Sequence, residues 1–233
     1  MAATAVAAVV AMGLSAAPAH AATASPYTDA ANGTSRSEAG YALGSAPATS
    51  SASTTFLVPR LACPASGLLG AAPGAFIFTR SGSTANLSGA SVFIVCQNGT
   101  TFYQAETIVN GKVTALPVTA HKGDKVITTV SVSATKVSVT LNDATRHLSY
   151  TRTGTGTTPM QVLDGIDSLN SGSTQLGVPN FGSLVFSNSS IDGKTLRAAA
   201  AKPIDRKSAT HVEITTGTLD ATGARFTETF RHA

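Results

Sequence analysis

Apolar and polar side chains alternate along one segment of this chain after another, and Gly, Asn, Asp and Ser separate the segments. In "KVSVTLN", Val137, Val139 and Leu141 share one face, while Lys136, Ser138, Thr140 and Asn142 share the other. That is the period of a strand with one face buried. "KVITTVSVS" before it places Val126, Thr128, Val130 and Val132 together, and "HLSYTRT" after the "NDATR" turn sets Leu148 beside Tyr150. These three segments predict an antiparallel meander. "SVFIVC" (91–96) is apolar throughout, as in a strand buried on both faces. Asn98-Gly99 predicts a hairpin into "TFYQAETIV", and "DATG" predicts one between "HVEITTGTL" and "ARFTETF". Only "TLRAAAAK" (195–202) has helical composition, and it is short.

About a dozen strands at intervals of about 8–12 residues predict an all-β domain. A two-sheet antiparallel jelly-roll sandwich also gives so many strands few exposed edges. Composition agrees, because charged residues make up only 12% of a chain rich in Thr, Ser, Val, Ala and Gly. The net charge is +4, and no basic block is interleaved with aromatics, which argues against nucleic acid as a partner.

The first residues read as a secretion signal. Ala2–Leu14 is apolar but too short to span a bilayer, and Ala19-His20-Ala21 fits a small-x-small cleavage site. The expected organisation is a signal over 1–21, a flexible arm over 22–37 and a β-sandwich domain over 38–233, in a secreted protein with no membrane segment after signal removal. Cys63 and Cys96 are the only cysteines. An even count in an exported chain points to a disulfide, with two buried free thiols as the alternative. No His or carboxylate stands at ligand spacing from either cysteine, so no metal site is expected, and no cofactor is implied. Asn32, Asn86, Asn98 and Asn188 open Asn-x-Ser/Thr sequons, read here as turn asparagines. His121, His147 and His211 are scattered and read as surface residues.

Five stretches in register resemble the glutamic peptidase (eqolisin) family: "EAGYAL" (38–43), "TTFLVP" (54–59), "GDKVITTVSV" (123–132), "VLDGI" (162–166) and "VPNFGSLVFSN" (178–188). The resemblance implies a sandwich of the concanavalin A-like type with a polypeptide groove on a concave sheet. From that sheet a Glu projects to activate water, beside a Gln whose amide steadies the developing oxyanion. The family Glu maps onto Asp164. The family Gln falls within "GASVF" (89–93), where no amide side chain stands. Glu38 occupies a place where the family has a cleft-lining Trp.

Losing one oxyanion donor costs about 10²–10³ in rate, so acid endopeptidase activity is expected to be weak or lost. A replacement pair is offered by Gln104 and Glu106. They are two residues apart on one face with Phe102 and Ile108, about 6.5–7 Å apart along the strand. The alternative to a weak peptidase is a non-catalytic module binding polypeptide or carbohydrate. Exposed Trp and Tyr are the usual sugar platforms, and with no Trp and four Tyr the carbohydrate reading is the weaker of the two.

Overall fold

The hairpins are set by residues that tolerate left-handed backbone. Asn98 and Gly99 have φ of 48° and 82°, and Asn110 and Gly111 have 50° and 79°. Two such residues in succession form the tight turn whose twist matches that of the strands it joins. In the computed structural model, which describes residues 33–81, 84–171 and 174–232, these turns connect strands and no α-helix occurs among the described residues.

In chain order the strands are β1 (Thr34–Ser35), β2 (Glu38–Leu43), β3 (Ser50–Leu57), β4 (Leu68–Ser81), β5 (Thr84–Gln97) and β6 (Thr100–Val109). They continue with β7 (Lys112–Thr119), β8 (Lys125–Val132), β9 (Lys136–Asp143), β10 (Leu148–Thr155), β11 (Thr158–Ser168) and β12 (Asn170–Ser171). The last are β13 (Thr174–Gln175), β14 (Ser183–Ile191), β15 (Lys194–Thr195), β16 (Lys202–Lys207), β17 (Val212–Thr216) and β18 (Phe226–Phe230).

The hydrogen-bonded path runs β10-β9-β8-β3-β14-β18-β17-β16-β2-β11-β4-β5-β6-β7. It folds over at β16, so that β8 and β9 lie against β5, while β3 lies against β4 and β11. Two antiparallel layers result, which we call the front layer (β10 to β17) and the back layer (β2 to β7). The β8–β9–β10 meander forms as the alternation predicts.

Between the layers lies the main core. Val126, Val130, Val137, Val139 and Leu141 enter it from the front, and Ala75, Ile77, Val92, Ile94, Val162 and Ile166 from the back. An aromatic file links the layers where β2 and β18 meet: Phe186 stacks on Phe226 at 4.9 Å, and Tyr41 meets Phe226 edge-on at 5.0 Å. Cys63 and Cys96 form a disulfide with Cα atoms 5.3 Å apart. It ties the segment before β4 to the end of β5.

Some expectations change. Residues 34–35, expected in the flexible arm, form β1 and pair in parallel with β16. The signal over 1–21 and most of the arm lie outside the described residues. "TLRAAAAK" gives β15 and a short run of turns ended by Ala200 at φ 57°, not a helix. A second, smaller apolar cluster lies on the outer face of the back layer. It contains Ala42, Phe76, Phe78, Leu87, Ile108, Leu163 and Ile204.

Candidate functional site

On that outer face the cross-strand register lays side chains out in rows, because directly opposed residues share a face. One row reads Ala42, Leu163, Phe76, Gly89 and Ile108 across β2, β11, β4, β5 and β6. Leu163 and Phe76 are fully buried. The next row reads Gly40, Gly165, Gly74, Ser91 and Glu106. Its glycines let the backbones close up: a Cβ on Gly40, whose φ is 138°, would stand 2.3 Å from the Asp164 carbonyl oxygen. The third row begins with Glu38 opposite Asp167 and continues on β5 and β6 with Phe93 opposite Gln104.

Asp164 is not on this face. It shares parity with Val162 and Ile166 and points between the layers, with no exposed surface and no hydrogen bond to either carboxylate oxygen. Burial drives its carboxyl well above the ordinary pKa, opposed only by the backbone of Ser190 on the facing layer. Asp164, expected to line a groove, thus lies between the layers and away from the outer face. Alternation turns Leu163 outward and Asp164 inward.

Gln104 and Glu106 do share the outer face, but the structure does not join them. A bulge in the β6–β7 pairing falls between them. The Gln104 amide nitrogen is used up there, donating to the carbonyls of Ala105 and Leu116 at 3.0 Å each. Glu106 stands opposite Ser91, and both have a buried side-chain oxygen without a partner. Burial pushes the Glu106 carboxyl up to about 8.

Glu38, Asp167, Arg206 and Glu213 form a charged cluster that sequence reasoning did not assemble. Glu38 accepts hydrogen bonds from Ser35 and Ser37, and burial raises its pKa. Burial and the neighbouring Glu38 push Asp167 to about 8, with Arg206 opposing. Arg206 is 2% exposed and donates from Nε to Glu213 at 2.6 Å. The four residues come from β2, β11, β16 and β17, so the only local signal is the pairing of β16 with β17 across "IDRKSATHVEI". Among the described residues no three His, Cys, Asp or Glu side chains converge as metal ligands would.

Two antiparallel layers joined through β16, with β11 held between β2 and β4 in the back layer, define a β-sandwich of the glutamic peptidase kind. The chain belongs to the Peptidase A4 family, whose model matches residues 36–227. Scytalido-glutamic peptidase, solved with a transition state analog inhibitor, superposes with a TM-score of 0.62 at 15% identity, over 84% of this chain and 98% of that one. SCP-B, an eqolisin solved with the tripeptide Ala-Ile-His, gives 0.63 at 14% identity over the same shares. The aspergilloglutamic peptidase of Aspergillus niger gives 0.55 at 18% identity, over 70% of this chain and 99% of that one. At these identities the likeness is one of fold. Among curated proteins none matches the chain.

Proposed function

We propose that this is an exported member of the Peptidase A4 family that binds polypeptide on the outer face of its back layer and hydrolyses it weakly or not at all. The observation that carries this reading is the row at the middle of that face, where Leu163 and Phe76 stand fully buried side by side. An apolar pair there supplies neither a base for water nor a donor for an oxyanion.

A surface for ligand survives at one end of the same face. Phe102 is 42% exposed and Leu68 37% exposed, on strands flanking the half-buried Phe93 and Val95. These two exposed apolar side chains offer a contact for an apolar part of a ligand. A relative solved with a tripeptide supports a peptide as the ligand class. The disulfide and the apolar leader support export.

Glu106 does present a carboxyl on that face, but a group that holds its proton to about 8 is neutral at acid pH and cannot act there as a base for water. Glu106 is itself largely buried opposite the fully buried Ser91, which limits its access to substrate. The test combines labelled, denatured casein with the purified protein at pH 3–5 and at pH 7. Saturable binding that Phe102→Ser weakens, with little or no peptide release, is the expected result. Robust release at acid pH that disappears in Asp164→Asn would overturn it.

A further inference from the structure

We propose that the cavity beside Arg206 is a carboxylate-binding subsite that anchors one acidic group of a polypeptide lying on the outer face. The proposal rests on the polypeptide-binding reading above. The cavity measures about 230 Å³ and is walled by Arg36, Gln175, Arg206, Lys207, Ser208 and Glu213. It also touches Leu176, which packs against the apolar cluster of the outer face, so cavity and patch are continuous.

Charge in the wall is unbalanced. Three cations, Arg36, Arg206 and Lys207, meet the single carboxylate of Glu213, which is already bonded to Arg206 Nε. Asp167, which interacts with Arg206, has its carboxyl pushed to about 8 by burial and by Glu38, so it adds little negative charge at acid pH. Arg206 Nη2 donates to the Leu176 carbonyl at 2.8 Å, while Nη1 is buried without a partner. A guanidinium offers five N–H donors in a planar fork suited to carboxylate. Nη1 is shut off from the cavity, so Arg206 acts on a ligand carboxylate through its charge, while the accessible donors that would bond it are those of Arg36 and Lys207. Arg36 and Lys207 are exposed and stand at the rim, where they would attract the same group. In a polypeptide that group is either the C-terminal carboxylate or an Asp or Glu side chain.

The test is fluorescence anisotropy with one apolar peptide in three forms: free C-terminus, amidated C-terminus, and amidated with an added terminal-proximal Asp. The free acid should bind wild type at least about tenfold more tightly than the amide, as a charge-assisted contact would give. Recovery of that advantage by the Asp peptide identifies a side chain as an accepted source, and failure to recover it restricts the site to chain ends. The exposed pair Arg36→Gln and Lys207→Gln should erase the advantage and leave the amide unchanged, whereas Phe102→Ser should weaken both forms alike. Equal affinity of acid and amide for wild type would overturn the subsite while leaving outer-face binding intact. If neither peptide binds, the outer-face reading fails, and titration of N-acetylleucine against N-acetylleucinamide decides the cavity alone. A shift of the Arg206 Nε–H resonance with the acid only sustains the subsite, and no shift, or the same shift with inorganic phosphate, overturns it.

Discussion

Leu163 and Asp164 are neighbours on β11 that face opposite ways, Leu163 into the outer-face cluster and Asp164 into the core between the layers. A strand turns successive side chains to opposite faces, so this one-residue difference separates a side chain on the outer face from a carboxyl enclosed between the layers. The consequences can be measured.

Replacing Asp164 by Asn keeps the volume and removes a proton site that has no hydrogen-bonded partner. Any residual casein hydrolysis should be the same in Asp164→Asn as in wild type, and stability above neutral pH should rise. A variant that loses activity selectively, with an unchanged melting curve, would place Asp164 in the chemistry after all.

Stability should decline as pH rises. Burial holds Glu106, Asp167 and Glu228 at about 8 and raises Asp164 and Glu38. A carboxyl with a higher pKa folded than unfolded holds its proton more tightly in the folded state. Its contribution is full below the unfolded value and is lost as pH climbs through the folded one, between about 4 and 8 here. Each such group steepens the loss by up to about 1.4 kcal/mol per pH unit within that window. Thermal melts from pH 4 to pH 9 should show the highest Tm at the acid end, and Glu228→Gln should flatten the curve. A Tm that is constant or rises with pH contradicts this.

The bond between Cys63 and Cys96 closes a loop with a sequence separation of 33. On the chain-entropy account its loss costs about 3–4 kcal/mol. Denaturant titration of the Cys63→Ser, Cys96→Ser double variant should show a drop of that order, and reduction of the wild type should match it.

Gly40 and Gly165 pair where β2 meets β11. An Ala at 40 would adopt a φ that side chains rarely tolerate and press its methyl onto the Asp164 carbonyl. Gly40→Ala should destabilise by several kcal/mol, on the order of 3 or more. A substitution at the solvent-facing Gly123, where a Cβ meets nothing, should cost only its backbone strain. Equal unfolding midpoints for the two variants would show that the close approach is unimportant.

Much of the fold was legible in the chain's own pattern. Val137, Val139 and Leu141 alternate with polar residues because β9 has one buried face, and the alternation alone told which face that is. Asn98-Gly99 announced its hairpin because few other pairs accept two left-handed residues in succession. The shared face of Gln104 and Glu106 was equally readable from parity. The diversion of the Gln104 amide was not, since it depends on a bulge opposite β7.

What the sequence determined by itself, then, was the strands, their hairpins and an all-β sandwich, because those follow from local periodicity and turn chemistry; the family was legible only through the resemblance of five stretches. Only the tertiary structure decided which way Asp164 points and that Arg206 meets Asp167 and Glu213. β11 is apolar on both faces, with Val162 and Ile166 on one and Leu163 on the other. A strand buried on both sides carries no amphipathic signal to tell which face will meet the second layer. That choice is made by the second layer when it packs against one of them.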